Sequence, residues 1–229
     1  MVTSMKIENV KGAYDIIIGL GSWCGPSIFL WRRQLRRFSL PLDWMISKSV
    51  TDVTRLLENR FEGFMDLGQL RKIEGTSDYL EDGIAVPKGD GTYHNAHFIL
   101  DTRYNVISVH DFPVIPYQDW TATYGAYSER LIRRIQRFLH VLDHSRSVLF
   151  IRWGEIGEAE AVKLHAVVSS LTPGNCRILF MQTVSGLQSI QEIDWGQDGI
   201  ATLQVPLDEL YHESAWDCTM NGLSLTGRW

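Results

Sequence analysis

Tyr14-Asp15-Ile16-Ile17-Ile18-Gly19-Leu20-Gly21-Ser22-Trp23-Cys24-Gly25 is the stretch on which the reading of the fold turns. A short run of β-branched isoleucines breaks into small, flexible residues, and an amphipathic segment then begins. Pro26 stands where a first helical turn accepts proline. The stretch therefore reads as strand, tight turn, helix, with Ser22 and Cys24 at the turn near the helix amino end. Unpaired N–H donors and a partial positive charge there favour a thiolate or a developing oxyanion. The alternative is a small buried cysteine that packs the turn.

Outward from this point, Ile28, Phe29, Trp31 and Leu35 lie among four arginines and predict a helix from about Pro26 to Phe38. Pro41 makes Ser39 to Trp44 extended or turning. Ser49 reads as the cap of a helix carrying Val53, Leu56, Leu57 and Phe61. Residues 63–91 are rich in Gly, Asp and Glu and read as a long irregular, lid-like excursion. Thr92–Leu100 and Asn105–His110 predict a hairpin-like pair of strands. Ser128–Leu142 is strongly amphipathic and predicts a helix, and Glu158–Leu171 predicts another that stops before Pro173-Gly174. Val148–Ile151, Arg177–Gln182 and Thr202–Val205 read as short strands. Strands alternate with helices from Val106 onward. The expectation is one α/β domain over residues 1–229, with a mainly parallel central sheet flanked by helices, an irregular insertion and a hairpin.

Composition narrows the function. With 229 residues, 45% hydrophobic and 11% aromatic, the chain reads as an ordinary globular protein. A net charge of −5 gives no reason to expect nucleic acid or an anionic membrane as partner. Cys24, Cys176 and Cys218 follow no disulfide or zinc spacing, which suits a reducing, cytoplasmic compartment. Met1–Gly12 lacks an apolar signal core, and no run approaches the roughly 20 apolar residues of a membrane span. Neither export nor membrane insertion is expected.

In open parallel sheets, ligands bind beyond the carboxyl ends of the strands. That rule selects Ser22 and Cys24, then His110 and Asp111, then Arg152, and predicts a thiol, an imidazole and a guanidinium facing one cleft. A free thiol has a pKa near 8.5, and a lowering of about two units would make thiolate dominant, leaving His110 to protonate a leaving group. Asp111 could orient His110 only if the strand has already ended, because neighbours on a strand point to opposite faces. Asp43 is a further candidate carboxylate, or a cap. Gly19 and Gly21 begin a dinucleotide fingerprint, but Cys24 occupies the place of its third glycine. No phosphate-loop motif is present. His94, His97 and His110 could supply a metal site, yet His94 and His97 read better as exposed hairpin residues. No cofactor or metal is expected. Ser22 also sits where GDSL-type esterases carry their nucleophile, although Asp208-Glu-Leu-Tyr-His212 is one residue longer than their Asp-x-x-His motif.

Four segments together resemble the bacterial putative papain-like cysteine peptidase family. They are Gly19-Leu-Gly-Ser22-Trp-Cys24, Leu40-Pro-Leu-Asp43-Trp44-Met45, Val109-His110-Asp111-Phe112 and Phe150-Ile-Arg152. The resemblance runs from about Tyr14 to Trp216. It implies Cys24 as nucleophile and His110 as its partner, with Asp111 beside them. It marks Ser22, Asp43, Trp44 and Arg152 as recurrent positions that would bind or frame the substrate. Members of that family often sit beside or within glycosyltransferase and polysaccharide-biosynthesis proteins. A peptide, acyl-linked or glycan-linked substrate is thereby implied, with glycosyltransferases as candidate partners. A glycan-binding module without catalysis, gripping its ligand through Arg152 and tryptophans, is the competing expectation.

Overall fold

A computed structural model describes residues 5–207 and 213–229. A one-turn helix α1 (Ile7–Val10) leads into β1 (Gly12–Tyr14) and β2 (Ile16–Gly19). Then follow α2 (Gly25–Arg32), β3 (Met45–Ile46), α3 (Val50–Glu58), β4 (Leu70–Asp78), β5 (Leu80–Glu81) and β6 (Ile84–Ala85). The middle of the chain holds β7 (Asn95–Asp101), β8 (Val106–Pro113), α4 (Tyr124–His144), β9 (Ser147–Trp153) and α5 (Glu158–Ser170). The last part gives β10 (Asn175–Val184), β11 (Gln191–Ile193), β12 (Ile200–Pro206), α6 (Glu213–Met220) and β13 (Leu223–Leu225).

One sheet has the strand order β11-β12-β10-β9-β2. Its β2, β9, β10 and β12 run parallel, and β11 closes one edge antiparallel. These strands are nearly continuous apolar runs because both faces of the sheet are covered. On one face Ile16, Ile18, Val148, Phe150, Ile178 and Phe180 pack with the apolar sides of α3, α4 and α5. On the other, Ile17, Leu149, Ile151, Leu179 and Met181 pack with α1, α2 and α6.

A second sheet, β3-β8-β7-β4, is antiparallel throughout. Ile99, Val106 and Phe112 from this sheet join the first core, so the two sheets share one interior. The fold is therefore mixed α/β, and the expectation of one mainly parallel central sheet needs correction. The strand bearing His110 belongs to the antiparallel sheet. The sequence hid this because β4 is largely exposed and shows little apolar periodicity. Residues 63–91, expected to be irregular, in fact contain β4 and the β5–β6 hairpin.

Local chemistry explains most boundaries. The Ser49 side chain accepts from the N–H of Asp52 at 3.1 Å and caps α3 as expected. The helix after Pro26 stops at Arg32, short of the expected Phe38. There Gln34 adopts a φ of 56°, and the N–H groups of Gln34 and Leu35 donate to the carbonyls of Trp31 and Leu30. That reciprocal closure ends a helix by satisfying its last carbonyls. Asp82 and Gly83, with φ of 48° and 92°, form the two-residue turn between β5 and β6.

Candidate active site

The turn after β2 is held from behind. Gly21 has a φ of 73°, and a Cβ there would stand 2.6 Å from the Ser47 hydroxyl oxygen. Ser22 follows with a φ of 75°, a left-handed conformation that costs a non-glycine residue energy and persists only when its surroundings impose it. Here the Ser22 N–H donates to Ser47 Oγ at 2.8 Å, and the Ser47 N–H donates to the Ser22 carbonyl at 3.1 Å. Arg152 completes the frame, donating from Nη1 to the Leu20 carbonyl (2.7 Å) and Ser47 Oγ (3.2 Å), and from Nη2 to the Ser47 carbonyl (2.7 Å). Only 1% of Arg152 is exposed. Burial pulls its pKa down to about 10, with Glu160 acting the other way, so it remains a cation at neutral pH. The sequence predicted that Arg152 faces the cleft. The structure places it behind the thiol turn, off the cleft wall, with its guanidinium donating to the Leu20 and Ser47 carbonyls.

Cys24 is the residue before α2, and its carbonyl accepts the first helical bond from the N–H of Ile28 at 3.0 Å. Its side chain is half-buried. Burial pushes the thiol pKa up, and a hydrogen bond from its own backbone offsets this only in part. The thiol pKa thus moves upward and not downward as expected, because desolvation penalises the thiolate.

His110 reaches the same region from the antiparallel sheet. Ile99 pairs with Ser108 and His97 pairs with Phe112, so β8 carries three residues where β7 carries only Phe98. His110 is the middle residue of this bulge, a device that re-aims a side chain. Its Nδ1 lies 2.7 Å from the Asp78 carbonyl oxygen and 3.2 Å from Ser77 Oγ. The Ser77 hydroxyl itself donates to the Val109 carbonyl. A carbonyl can only accept, so Nδ1 carries the hydrogen and Nε2 keeps its lone pair in the neutral ring.

Asp111, expected to stand beside His110 as its partner, lies 1% exposed on the other side of the strand. It accepts from Ser108 Oγ at 2.8 Å and from Arg134 Nη1 at 2.9 Å. It does not touch the imidazole. Asp43 is equally committed, accepting from Ser27 Oγ, the Leu40 N–H and Arg36 Nη2, each at 2.8 Å. That is the cap-and-turn role. Trp44 next to it is 3% exposed, stands edge-on to the His110 ring at 6.2 Å, and carries the Arg36 guanidinium 4.9 Å from its ring centre.

Cys24 and His110 line one cleft of about 340 Å³. Its walls include Trp44, Ile28 and Trp31 of α2, and Leu80 and Ile84 of the β5–β6 hairpin. Thiol and imidazole are not hydrogen-bonded to each other among the described residues, so they share the cleft without forming an ion pair at rest. Ser22 is not on the cleft wall, and its hydroxyl lies toward Gly154. Asp208 and His212 of the serine-esterase alternative lie outside the described residues. No group of three or more His, Cys, Asp or Glu side chains among the described residues could hold a metal ion. No helix among them is long and apolar enough to cross a membrane.

Residues 15–186 match the family described as putative papain-like cysteine peptidase. The chain belongs to that family. The matched segment contains Ser22, Cys24, Asp43, Trp44, His110, Asp111 and Arg152. Uncharacterized protein R408 of Acanthamoeba polyphaga mimivirus is 26% identical over 141 residues, which is 60% of this chain and 60% of that protein. The chain thus spans about 60% of the length of this curated relative. No solved structure matches.

Membership in the family leaves several parts of the site unmarked. Ser47, Ser77, the Asp78 carbonyl and the β5–β6 hairpin did not emerge from the sequence. Asp82-Gly83 between Leu80 and Ile84 was the available signal, because that dipeptide suits a two-residue hairpin turn. For Ser77 and Asp78 there was none, since their role depends on a bulge in a strand from another part of the chain.

Proposed function

We propose that this protein is a thiol-dependent hydrolase or acyl transferase in which Cys24 is the nucleophile and His110 the general base. The observation that carries the reading is that both residues line one cleft while the Asp78 carbonyl fixes the imidazole in the tautomer with a basic Nε2. Nε2 takes the thiol proton as Cys24 Sγ attacks the carbonyl carbon of an amide or ester. The same proton then passes to the departing amine or alkoxide as that bond breaks. Water resolves the thioester in a hydrolase, and a second nucleophile does so in a transferase. A half-buried thiol of raised pKa suits deprotonation during attack better than a thiolate standing at rest.

The substrate belongs to the peptide, acyl-linked or glycan-linked compounds, and glycosyltransferases are the proposed neighbours. A reducing compartment such as the cytoplasm suits a free, half-buried thiol on the cleft. Turnover assays on a panel of peptides, thioesters and acylated glycans test the reading. Loss of at least a thousandfold in both Cys24→Ala and His110→Ala supports it. Tight glycan binding that survives Cys24→Ala, without any turnover by the intact protein, would replace it with the binding-module reading.

A further inference from the structure

A second hollow, of about 390 Å³, adjoins the cleft. Trp31, Arg36 and Asp82 line both, and the second adds Arg37 and Arg137. The charges here do not cancel. Arg36 is held by Asp43 at 2.8 Å, and Asp82 lies 3.5 Å from Arg134. Arg37 and Arg137 have no carboxylate within ion-pair distance among the described residues. Each is steadied instead by a main-chain carbonyl, Arg37 by Thr226 at 2.6 Å and Arg137 by Ser39 at 3.1 Å. Arg137 also lies 5.0 Å from the centre of the Phe38 ring. Both guanidinium groups are thereby placed while most of their N–H donors take no partner among the described residues. This occurs on a chain whose net charge is −5, so the local excess of positive charge is not a general property of its surface.

We propose that this hollow is an anion subsite of the Cys24–His110 cleft, with Arg37 and Arg137 receiving a phosphate or carboxylate on the substrate. The planar guanidinium fork matches both oxyanions in bidentate geometry, which a lysine would not. Trp31, 62% exposed, and Ile84, 71% exposed, stand on the cleft walls and give an adjoining apolar part of the same molecule a surface to cover. The substrate is thus one with an oxyanion beside an apolar or flat segment. Its assignment as a substrate rests on the thiol reading given above, whereas anion binding itself does not.

Calorimetric titration of the whole chain at low ionic strength, with inorganic pyrophosphate and with citrate as probes, tests the site. At least one probe binds, and the tighter of the two tells phosphate from carboxylate. Arg37→Gln with Arg137→Gln weakens binding at least tenfold. Arg137→Lys, which keeps the charge and loses the fork, falls between, while Arg133→Gln on the exposed side of α4 changes nothing. Absence of binding by both probes, or binding indifferent to the double variant, overturns the subsite. A second measurement compares iodoacetamide with an iodoacetamide carrying a phosphonate tail. The tailed reagent prefers Cys24 over Cys218, and the preference disappears in the double variant. Labelling of Cys24 without that preference overturns the subsite alone. Anion binding with a Cys24 inert to both reagents upholds the subsite and overturns the thiol reading.

Discussion

The Nδ1 hydrogen of His110 goes to the main-chain oxygen of Asp78, 2.7 Å away, and not to a side-chain carboxylate. A main-chain acceptor survives any side-chain change at its own position. Asp78→Ala therefore keeps the Nδ1–H tautomer, and its rate on a turned-over substrate stays within about tenfold of the parent, whereas His110→Ala loses at least a thousandfold. Nitrogen chemical shifts of the His110 ring check the tautomer directly. A shift to the Nε2–H form in Asp78→Ala would show that the carboxylate, and not the carbonyl, sets the ring.

The three cysteines should react in an order set by burial. Cys218 is exposed, Cys24 is half-buried with a raised pKa, and Cys176 is buried with its pKa pushed up to about 11. Iodoacetamide followed by peptide mass mapping at pH 7.5 should label Cys218 first, Cys24 more slowly and Cys176 least. The Cys24 rate should still be climbing above pH 9. A Cys24 rate already on its plateau at pH 6 would mean a resting thiolate and a different activation mechanism.

Asp111 and Arg134 form a buried ion pair remote from the imidazole. Asp111→Asn removes the buried partner of Arg134 and leaves it only the exposed Asp82 at 3.5 Å, and breaking such a buried pair costs about 3–5 kcal/mol. Denaturant unfolding should register that loss, while the turnover per folded molecule stays within a few-fold. A collapse of turnover at unchanged stability would restore Asp111 to the catalytic group.

Arg152→Met removes the donors to the Leu20 and Ser47 carbonyls. Buried acceptors left unpaired cost about 1–3 kcal/mol each, so the variant should lose roughly 3 kcal/mol in unfolding free energy. Because the same carbonyls frame the thiol turn, alkylation of Cys24 should rise toward the rate of an exposed cysteine even below the melting temperature. An unchanged Cys24 rate would mean that Ser47 alone holds the turn.

Asp15 supplies a pH signature. Burial pushes its carboxyl up, but the Arg146 N–H, the Thr226 hydroxyl and Arg228 together hold it below the ordinary carboxylate range. The folded state then binds the proton less readily than the unfolded chain. Its stabilisation is full above the ordinary pKa and fades as pH falls through the lowered one. Asp15→Asn should cost about 1–2 kcal/mol at pH 7, and melts of the two proteins should converge as the pH falls below the lowered carboxyl pKa.

Buried elements were legible in the sequence and exposed ones were not. The isoleucines of β2, the apolar run of β9 and the periodic faces of α4 and α5 announce themselves because packing on both sides demands unbroken or regular hydrophobicity. The bare sequence also placed Cys24 beside the start of a helix, and the Ser49 cap. It misassigned the sheet to which the His110 strand belongs, because the exposed edge strand β4 shows little apolar periodicity. It likewise sent Arg152 to the cleft, since a strand end says where a side chain starts and not what it meets. The arginine reaches carbonyls at 20 and 47, contacts that only the folded chain brings together.

The pairing of β2 with β9 sets a timetable for synthesis. Ile16 lies beside Val148, so the strand that delivers the thiol turn waits for about 130 further residues before its neighbour exists. At the usual 5–20 residues per second, that is roughly 7–26 s on the ribosome. Throughout that interval Arg152 has not been made either, and of the partners that frame the thiol turn only Ser47 has emerged to hold Ser22 in its left-handed conformation. The nascent cysteine is then an ordinary solvent-exposed thiol, open to oxidants or to other chains. A newborn polypeptide is therefore open to attack at the very atom that the finished fold half-conceals.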